Sequence, residues 1–456
     1  MELEKKENGA VKDLTEGEPA KLIFYFTLPL LAGNIFQQLF GFVDTLIVGR
    51  FLGVEALAAV GCTGSLMFLM LGFVMGATSG FSIYTGQRFG AKDYAGIRYS
   101  VVVCLVLAVI LSIILAIIGV AWCRELLEFM ETPPEIIDGA YNFIVIIYGG
   151  IGGFVMIQMQ TNLVRALGDS KMPTIIQATT LCINIALEPV AIILLDLGIP
   201  GAAGATIVSL ILGNIICAIY IKKKIPLLHF SKEDFHFDKE IVLEHLKIGL
   251  PMGFQSSIIA IGAVVLQIAL NGLGPVAVAS FAASQRVDGI AVMPMMSFGV
   301  AIAAYTAQNF GAKKFDRIHD GVKKTIWMSC TFSIIAAAFN ILFGAEIIRL
   351  FVGEGQQQIV DYGQLFLTVN GVAYWIMALM FIFRFTMQGL GQSLIPTFSG
   401  AVELVMRIIA AVILVDYWGY LGACLAAPMA WIGAAIPLGI AFYITNKKLT
   451  RLYTED

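Results

Sequence analysis

Ionisable side chains are rare in the long apolar stretches of this chain, and those present are the first candidates for chemistry. They are Asp44, Glu188, Arg286, Asp288, Arg384, Glu403 and Arg407. An ionised group in a hydrocarbon environment costs several kcal/mol, so such a residue usually binds an ion or pairs with another charge. All four histidines fall in polar connections, so a histidine proton relay within the apolar stretches is not expected.

Asp44 and Glu188 are expected at a similar depth in two different helices. Asp44 follows Pro29 at the same interval at which Glu188 follows Pro173. Both stretches start on the same side, so a rise of about 1.5 Å per residue brings the two carboxylates to one level. They are therefore candidates for one shared site in the far half of these helices.

Two further oxygen acceptors are expected beside Glu188. Asn184 precedes it by one helical turn and shares its helix face. Pro189 has no N–H group, so the carbonyl of Ile185 is left without its helical donor. Such an oxygen set suits a hard cation such as Na⁺, and two close carboxylates equally suit a shared proton. The alternative is a structural pair that locks the helices together.

The second half carries a different charge pair. Glu403 and Arg407 are one helical turn apart and can pair on one helix face, either as a structural ion pair or as a switchable element. Arg384 lies near enough to a helix end for its charged group to extend toward water.

Methionines and aromatic residues provide a candidate substrate cavity, because together they form pliable surfaces that suit varied apolar ligands. Ordinary packing is the alternative for each of them. The candidate residues are Gln38, Met293, Met296, Tyr374, Trp375 and Met380.

The composition places these residues in a membrane protein. Hydrophobic residues make up 58 % of the chain and charged residues 13 %, whereas soluble domains are about 25 % charged. A span needs about 20 apolar residues, and the predicted fold is an all-α integral membrane protein with twelve such helices. The predicted spans are 22–49, 55–83, 99–122, 139–163, 173–196, 201–221, 249–271, 276–306, 322–344, 361–387, 396–416 and 420–445.

Two motifs show that the chain is duplicated. The segment 84–92 recurs as 305–313, with seven of nine positions identical. The segment 167–174 recurs as 390–397, with five of eight positions identical. We therefore predict two six-helix lobes in the same orientation, a 6+6 parallel repeat.

The two copies differ at the charged positions. The residues aligned with Asp44, Asn184 and Glu188 are Leu266 or Gln267, Arg407 and Ala411. The difference predicts that ion coupling resides in the first lobe.

The basic residues predict the orientation of the chain. Of 29 Lys and Arg residues, 24 fall on one side of the predicted spans, three on the other and two inside them. By the positive-inside rule, both termini face the cytoplasm. The predicted organisation is a cytoplasmic tail 1–21, an N-lobe 22–221, a cytoplasmic linker 222–248 with a short amphipathic helix, a C-lobe 249–445 and a cytoplasmic tail 446–456.

Motifs of enzymes and nucleic-acid binders are missing from the sequence. It contains no phosphate-binding loop, zinc-protease motif, nucleophile elbow or dinucleotide loop in a suitable context. No cysteine spacing suggests a metal, and no basic stripe suggests nucleic acid. We expect no enzymatic activity, no use of ATP by this chain and no cofactor other than a coupling ion.

Four motifs resemble the multidrug and toxic compound extrusion (MATE) family of cation-coupled exporters, in its bacterial branches. The resemblance covers nearly all of residues 20–446. The motifs are Gln38-x-x-x-x-x-Asp44-Thr-x-x-x-Gly49-Arg50-Phe-Leu-Gly53, the repeated Gln-x-Phe-Gly-Ala, Arg165-Ala-Leu-Gly-Asp-Ser170 with Pro173, and Asn184-x-x-x-Glu188-Pro189.

The resemblance implies V-shaped lobes around a central cavity and export of amphipathic, often cationic compounds in exchange for H⁺ or Na⁺ by alternating access. By position, Asp44, Asn184 and Glu188 match the family's cation site, and Thr206 matches its hydroxyl. The family's usual acid at position 188 is Asp, so Glu188 is a departure. No acid occurs within 255–268, which argues against a second cation site.

The expected setting is the inner membrane of a bacterium, with the lipid bilayer and a small amphipathic substrate as partners of a monomer. The alternative function is a flippase for lipid-linked oligosaccharides of the same superfamily, which would use a strongly cationic cavity. A channel or a non-transporting receptor is a third alternative.

Overall fold

A computed structural model describes residues 11–235, 238–353 and 355–454. Residues 1–10 and 455–456 of the predicted tails, and residues 236–237 of the predicted linker, lie outside the described residues. All regular secondary structure in the described part is helical.

Among the described residues of the first half of the chain, six helices are long enough to cross a membrane. Each is rich in apolar residues, and their boundaries fall at glycine, proline or short polar turns. They are α1 Pro19–Gly53, α2 Glu55–Gly90, α3 Tyr94–Phe129, α4 Pro134–Gly149 with Ile151–Ala166, α5 Lys171–Leu194 and α6 Gly198–Lys224.

The described part of the second half contains six more such helices. They are α7 Lys239–Gly272, α8 Pro275–Gly311, α9 Phe315–Leu350, α10 Gln357–Gly389, α11 Leu394–Trp418 and α12 Tyr420–Leu449. Helix α4 bends by 46° at Gly150, so it counts as one bent span. The prediction of twelve spans is confirmed.

Contacts divide the chain into two units. The first comprises the described residues within Met1–Asp13 and Ala32–Gly249, and the second comprises those within Leu14–Leu31 and Leu250–Asp456. Residues 19–31 of α1 therefore belong to the second unit, which differs from the lobe boundaries predicted at residues 22 and 249. The reason is apolar packing, because Ile23 and Phe26 are buried in one core cluster with Phe298 and Ile302.

The repeated motifs form the same helix ends in both units. Lys92 and Lys313 both adopt the left-handed conformation, with φ of 57° and 56°. Three backbone hydrogen bonds of identical spacing close the preceding helix in each copy. Gly168 and Gly391 also match, with φ of 88° and 80°. Left-handed conformations are costly for residues other than glycine. Their occurrence at both lysines indicates that the two units terminate these helices with the same backbone structure.

The segment between α6 and α7 differs from the predicted linker. It contains two 3₁₀ turns, Pro226–Leu228 and Lys232–Asp234, and α7 then runs from Lys239 without interruption. The predicted short helix is thus the first part of α7. In the second turn, the backbone N–H of Ser231 donates to Asp234 and, together with Arg98, keeps the pKa of that carboxyl below its ordinary value.

His245 lies in this extension of α7 and is buried, contrary to its prediction as part of a polar connection. Its Nε2 atom lies 2.8 Å from the hydroxyl of Ser100, and its Nδ1 atom lies 2.8 Å from the carbonyl of Ile241. Its ring packs on Tyr84 of the first repeated motif, with centroids 4.7 Å apart. The histidine therefore anchors the start of α7 to the first unit.

Candidate functional site

The first unit brings together the two acids that the sequence places at one depth. The carboxyl groups of Asp44 on α1 and Glu188 on α5 are close enough to interact directly. Glu188 is fully buried, and Asp44 is half-buried. Two carboxylates in a site with little water repel each other, so binding of a proton or a cation would stabilise this arrangement.

Helix α5 changes its hydrogen bonding immediately after this site. Its α-helical part ends at Pro189, and residues Val190–Leu194 form a π-helical turn. The missing N–H group of proline removes one α-helical hydrogen bond, so the turn is where the helix accommodates the loss. A second π-helical turn, Ala410–Leu414, occurs on α11 without a proline.

Asn184 and Thr206 complete the group around Glu188. The Asn184 side-chain amide donates to the Thr206 hydroxyl over 3.2 Å, and that hydroxyl donates to the carbonyl of Ala202 over 3.2 Å. With its NH₂ group directed at Thr206, Asn184 keeps its side-chain oxygen available for another partner.

Three buried oxygens at this site have no hydrogen-bond donor among the described residues. They are the Asn184 Oδ1 atom and both carboxylate oxygens of Glu188. A buried acceptor without a donor costs about 1–3 kcal/mol, and more when it is charged. A cation or a proton at this position would satisfy them, and these are the ligand types that Na⁺ accepts.

An apolar cavity of about 50 Å³ lies beside Thr206 in the first unit. It sits at the bend of α4, where Gly150 forms part of the wall. Its remaining lining comes from α2, α4 and α6, namely Met67, Leu71, Ile147, Ile151, Phe154, Ile207 and Leu210.

The second unit contains the predicted pair of Glu403 and Arg407, with 3.7 Å between Oε2 and Nη2. However, the closest cation to Glu403 is Arg384, whose guanidinium donates to Oε1. Arg384 is 5 % exposed and does not extend toward water as the sequence suggested. A buried carboxylate within reach holds it in the interior instead.

The residues of the candidate substrate cavity occupy different environments. Tyr374 and Met380 are buried in a core cluster of the second unit. Met296 and Trp375 are 40 % and 49 % exposed. Met293 is half-buried, and Gln38 on α1 is exposed. The structure therefore places two of the six residues in the interior and the other four at more accessible positions.

One polar group in the second unit was not foreseen from the sequence. The Tyr374 hydroxyl donates to Asp288 over 2.5 Å and accepts from the Asn340 side chain over 2.9 Å. The three residues lie on α10, α8 and α9. Asp288 was recognisable as a membrane acid, but its partners lie on two other helices, so no local pattern could have identified them.

The described residues form twelve apolar helices in two units, with a buried oxygen site in the first, and this is the organisation of a multi-pass membrane transporter. Comparisons with known proteins agree. The MatE family model matches residues 29–190 and again 251–413. The chain belongs to the MatE family, which confirms the resemblance found in its motifs.

Individual relatives extend over most of the chain. It is 30 % identical over 379 residues to the probable multidrug resistance protein YoeA of Bacillus subtilis, covering 82 % of this chain and 81 % of that protein. It is 21 % identical to the multidrug export protein MepA of Staphylococcus aureus, covering 94 % and 95 %.

A solved structure shares the fold. A multidrug resistance MATE family transporter of the MOP superfamily, in an outward-facing conformation, matches with a TM-score of 0.89 at 23 % identity. The match covers 97 % of this chain and 99 % of the other.

Proposed function

We propose that this protein is a secondary antiporter that exports amphipathic, mainly cationic compounds in exchange for H⁺ or Na⁺. The relatives described as multidrug resistance or export proteins support the substrate class. The observation that carries the proposed coupling is the set of three buried oxygens around Glu188 that lack a donor within the described chain.

In this proposal the ion binds at Asp44, Asn184, Glu188 and Thr206. Inward movement of one positive charge through 100 mV releases about 2.3 kcal/mol, and each pH unit adds about 1.4 kcal/mol for a proton. An occupied site removes the repulsion between Asp44 and Glu188, whereas an empty site restores it. Occupancy therefore favours one of the inward-open and outward-open states, and substrate favours the other.

The proposed setting is the cytoplasmic membrane of a bacterium, with both termini in the cytoplasm and a monomer as the transporting unit. The asymmetric distribution of the basic residues between the two sides supports this orientation. No cofactor beyond the coupling ion is proposed.

Transport by purified protein in liposomes tests this function. Efflux of a cationic dye is measured with a Na⁺ gradient alone and with a pH gradient alone. We expect one gradient to drive transport, and Asp44→Asn to abolish it while membrane insertion is retained. Glu125→Gln, which alters an exposed acid, is the matched control. Full gradient-driven efflux by Asp44→Asn would refute the assignment of the coupling site.

A further inference from the structure

We propose that the connection between α6 and α7 binds anionic phospholipids, which the proposed orientation places in the cytoplasmic leaflet. The binding surface, called the connector surface below, combines an exposed aromatic pair with a group of exposed lysines. It consists of Phe230, Phe235, Lys222, Lys223, Lys224 and Lys232. Lipid binding there is independent of the coupling site of the proposed antiport.

The lysines continue an apolar, exposed face of α6. Four residues of this helix, spaced three or four apart, are 46–50 % exposed and share one side of the helix. They are Val208, Ile211, Ile215 and Ile219. Lys223 follows Ile219 by one more turn, at the end of the helix. A lysine at such a position lays its stem along the apolar face and places its ammonium group among lipid headgroups.

The chain folds back after α6, so Phe230 lies near the level of the lysines. Ile225 and Leu228 are buried in a core cluster of the first unit. The Nε2 atom of His229 lies 3.3 Å from the carbonyl oxygen of Ile221, which belongs to the last turn of α6. Phe230 is therefore held beside the end of the membrane-spanning helix and does not project away from it.

The far end of the connection is tied to the start of α3. Arg98 Nε lies 3.6 Å from the Asp234 carboxylate, and the backbone N–H of Asp238 donates to the Tyr99 hydroxyl over 2.7 Å. Helix α3 has 36 residues and is about 54 Å long, whereas the hydrocarbon layer is about 30 Å thick. If α3 is centred in the membrane, Arg98, about 6 Å from its start, lies in the headgroup layer. Phe235, next to Asp234, lies at that level too.

The aromatic pair is suited to insertion between lipid chains. The ring centroids of Phe230 and Phe235 are 5.7 Å apart, with the rings inclined by 70°. The two side chains are 43 % and 58 % exposed. Because apolar surface is stabilised by removal from water, rings at the depth of the headgroups gain from contact with the adjoining acyl chains.

The charge of the connection favours anionic over neutral headgroups. Residues 222–235 contain four lysines and two acids, Glu233 and Asp234. Asp234 is already engaged by Arg98 and by the Ser231 N–H group. The lysines are therefore in excess, and basic residues beside a membrane attract anionic lipids. A phospholipid offers a phosphate to the lysines and acyl chains to the rings, whereas a water-soluble phosphate offers only the first.

Photocrosslinking from position 235 of the full-length protein tests the inference. Phe235→p-benzoylphenylalanine is reconstituted in liposomes that contain equal amounts of phosphatidylglycerol and phosphatidylcholine with the same acyl chains. Mass spectrometry then identifies the adducts formed on irradiation. We expect lipid adducts in which phosphatidylglycerol is enriched over phosphatidylcholine. Added glycerol 3-phosphate, a water-soluble phosphate, should leave this enrichment unchanged.

Three further variants separate the contribution of charge from that of the rings. Lys223→Gln with Lys224→Gln should lower the enrichment about tenfold. Lys447→Gln with Lys448→Gln, which alters two exposed lysines at the end of α12, is the matched control and should leave it unchanged. Phe230→Ser should reduce the total yield of lipid adducts without changing the ratio of the two lipids.

Three results would overturn the inference. The first is the absence of lipid adducts at position 235, including the case in which only adducts with protein form. The second is an enrichment that is the same in the Lys223→Gln, Lys224→Gln variant as in the wild-type background. The third is loss of the enrichment on addition of glycerol 3-phosphate, which would show that the lysines bind a soluble phosphate.

Discussion

The two units end their motif helices in the same way but carry different polar groups at aligned interior positions. Lys92 and Lys313 share a left-handed conformation and the same closing hydrogen bonds. Inside the units, Asn184 corresponds to Arg407, and buried Glu188 corresponds to Ala411. The comparison shows that the two copies share their helix ends, whereas an amide and an acid inside the first unit correspond to an arginine and an alanine inside the second.

The surroundings of the two buried glutamates differ as well. Glu188 has no donor among the described side chains, while Glu403 accepts from Arg384 and lies near Arg407. The first glutamate is arranged to gain a partner, and the second already has one. This contrast leads to a prediction about stability.

Neutralising the two glutamates should have opposite effects on the free energy of unfolding. Glu403→Gln leaves two buried guanidinium groups without their carboxylate, and such a loss costs about 3–5 kcal/mol. Glu188→Gln removes a charge that lacks donors, so it should be neutral or stabilising. Thermal unfolding in detergent compares the two variants with the wild type.

An exposed ion pair provides the control for this comparison. Arg124 lies 3.1 Å from Asp138 at the surface of the first unit, and Arg124→Gln should cost less than about 1 kcal/mol. Equal destabilisation by Glu188→Gln and Glu403→Gln would show that the two glutamates have the same role, contrary to the comparison.

A smaller effect is expected at Thr206, which contributes one oxygen to the site in the first unit. Thr206→Val removes the hydroxyl and should weaken binding of the coupling ion about tenfold, or about 1.4 kcal/mol. Thr206→Ser retains the hydroxyl and is the matched control. The ion concentration that gives half-maximal transport measures the change, and equal values for the two variants would exclude Thr206 from the site.

The smallest change in the free energy of unfolding is expected at the two left-handed lysines, and it should be the same in both units. Lys92 and Lys313 each adopt a left-handed conformation, which costs a residue other than glycine about 1–2 kcal/mol. Lys92→Gly and Lys313→Gly remove this cost, but part of the gain is lost because glycine has more conformational entropy in the unfolded chain. Each should stabilise the protein by about 0.5–1 kcal/mol. If thermal unfolding showed that one variant is more stable than the wild type and the other less stable, the two helix ends would not share one structural role.

The fold was largely predictable because membrane-spanning helices require long runs of apolar residues, which are recognisable in the sequence. Stretches of apolar residues set the twelve helices, and the motif pairs reveal the duplication. The assignment of residues 14–31 to the second unit could not be predicted, because it depends on packing of Ile23 and Phe26 against residues in the other half of the chain.

The candidate site was partly predictable. Proline-based depth counting placed Asp44 and Glu188 together, since both lie in regular helices with a fixed rise per residue. The same counting does not show which side chains meet across helices. The contact of Arg384 with Glu403 and the group of Asp288, Tyr374 and Asn340 therefore emerged only from the structure.

The central claim is that coupling resides in the first unit, and ion flux driven by substrate tests it most directly. Purified Glu188→Gln and Asp288→Asn are reconstituted in liposomes, and movement of Na⁺ and H⁺ is recorded when a cationic substrate gradient is imposed. The account predicts that Glu188→Gln abolishes substrate-driven ion flux and that Asp288→Asn retains it. Flux that persists in Glu188→Gln and disappears in Asp288→Asn would contradict the account.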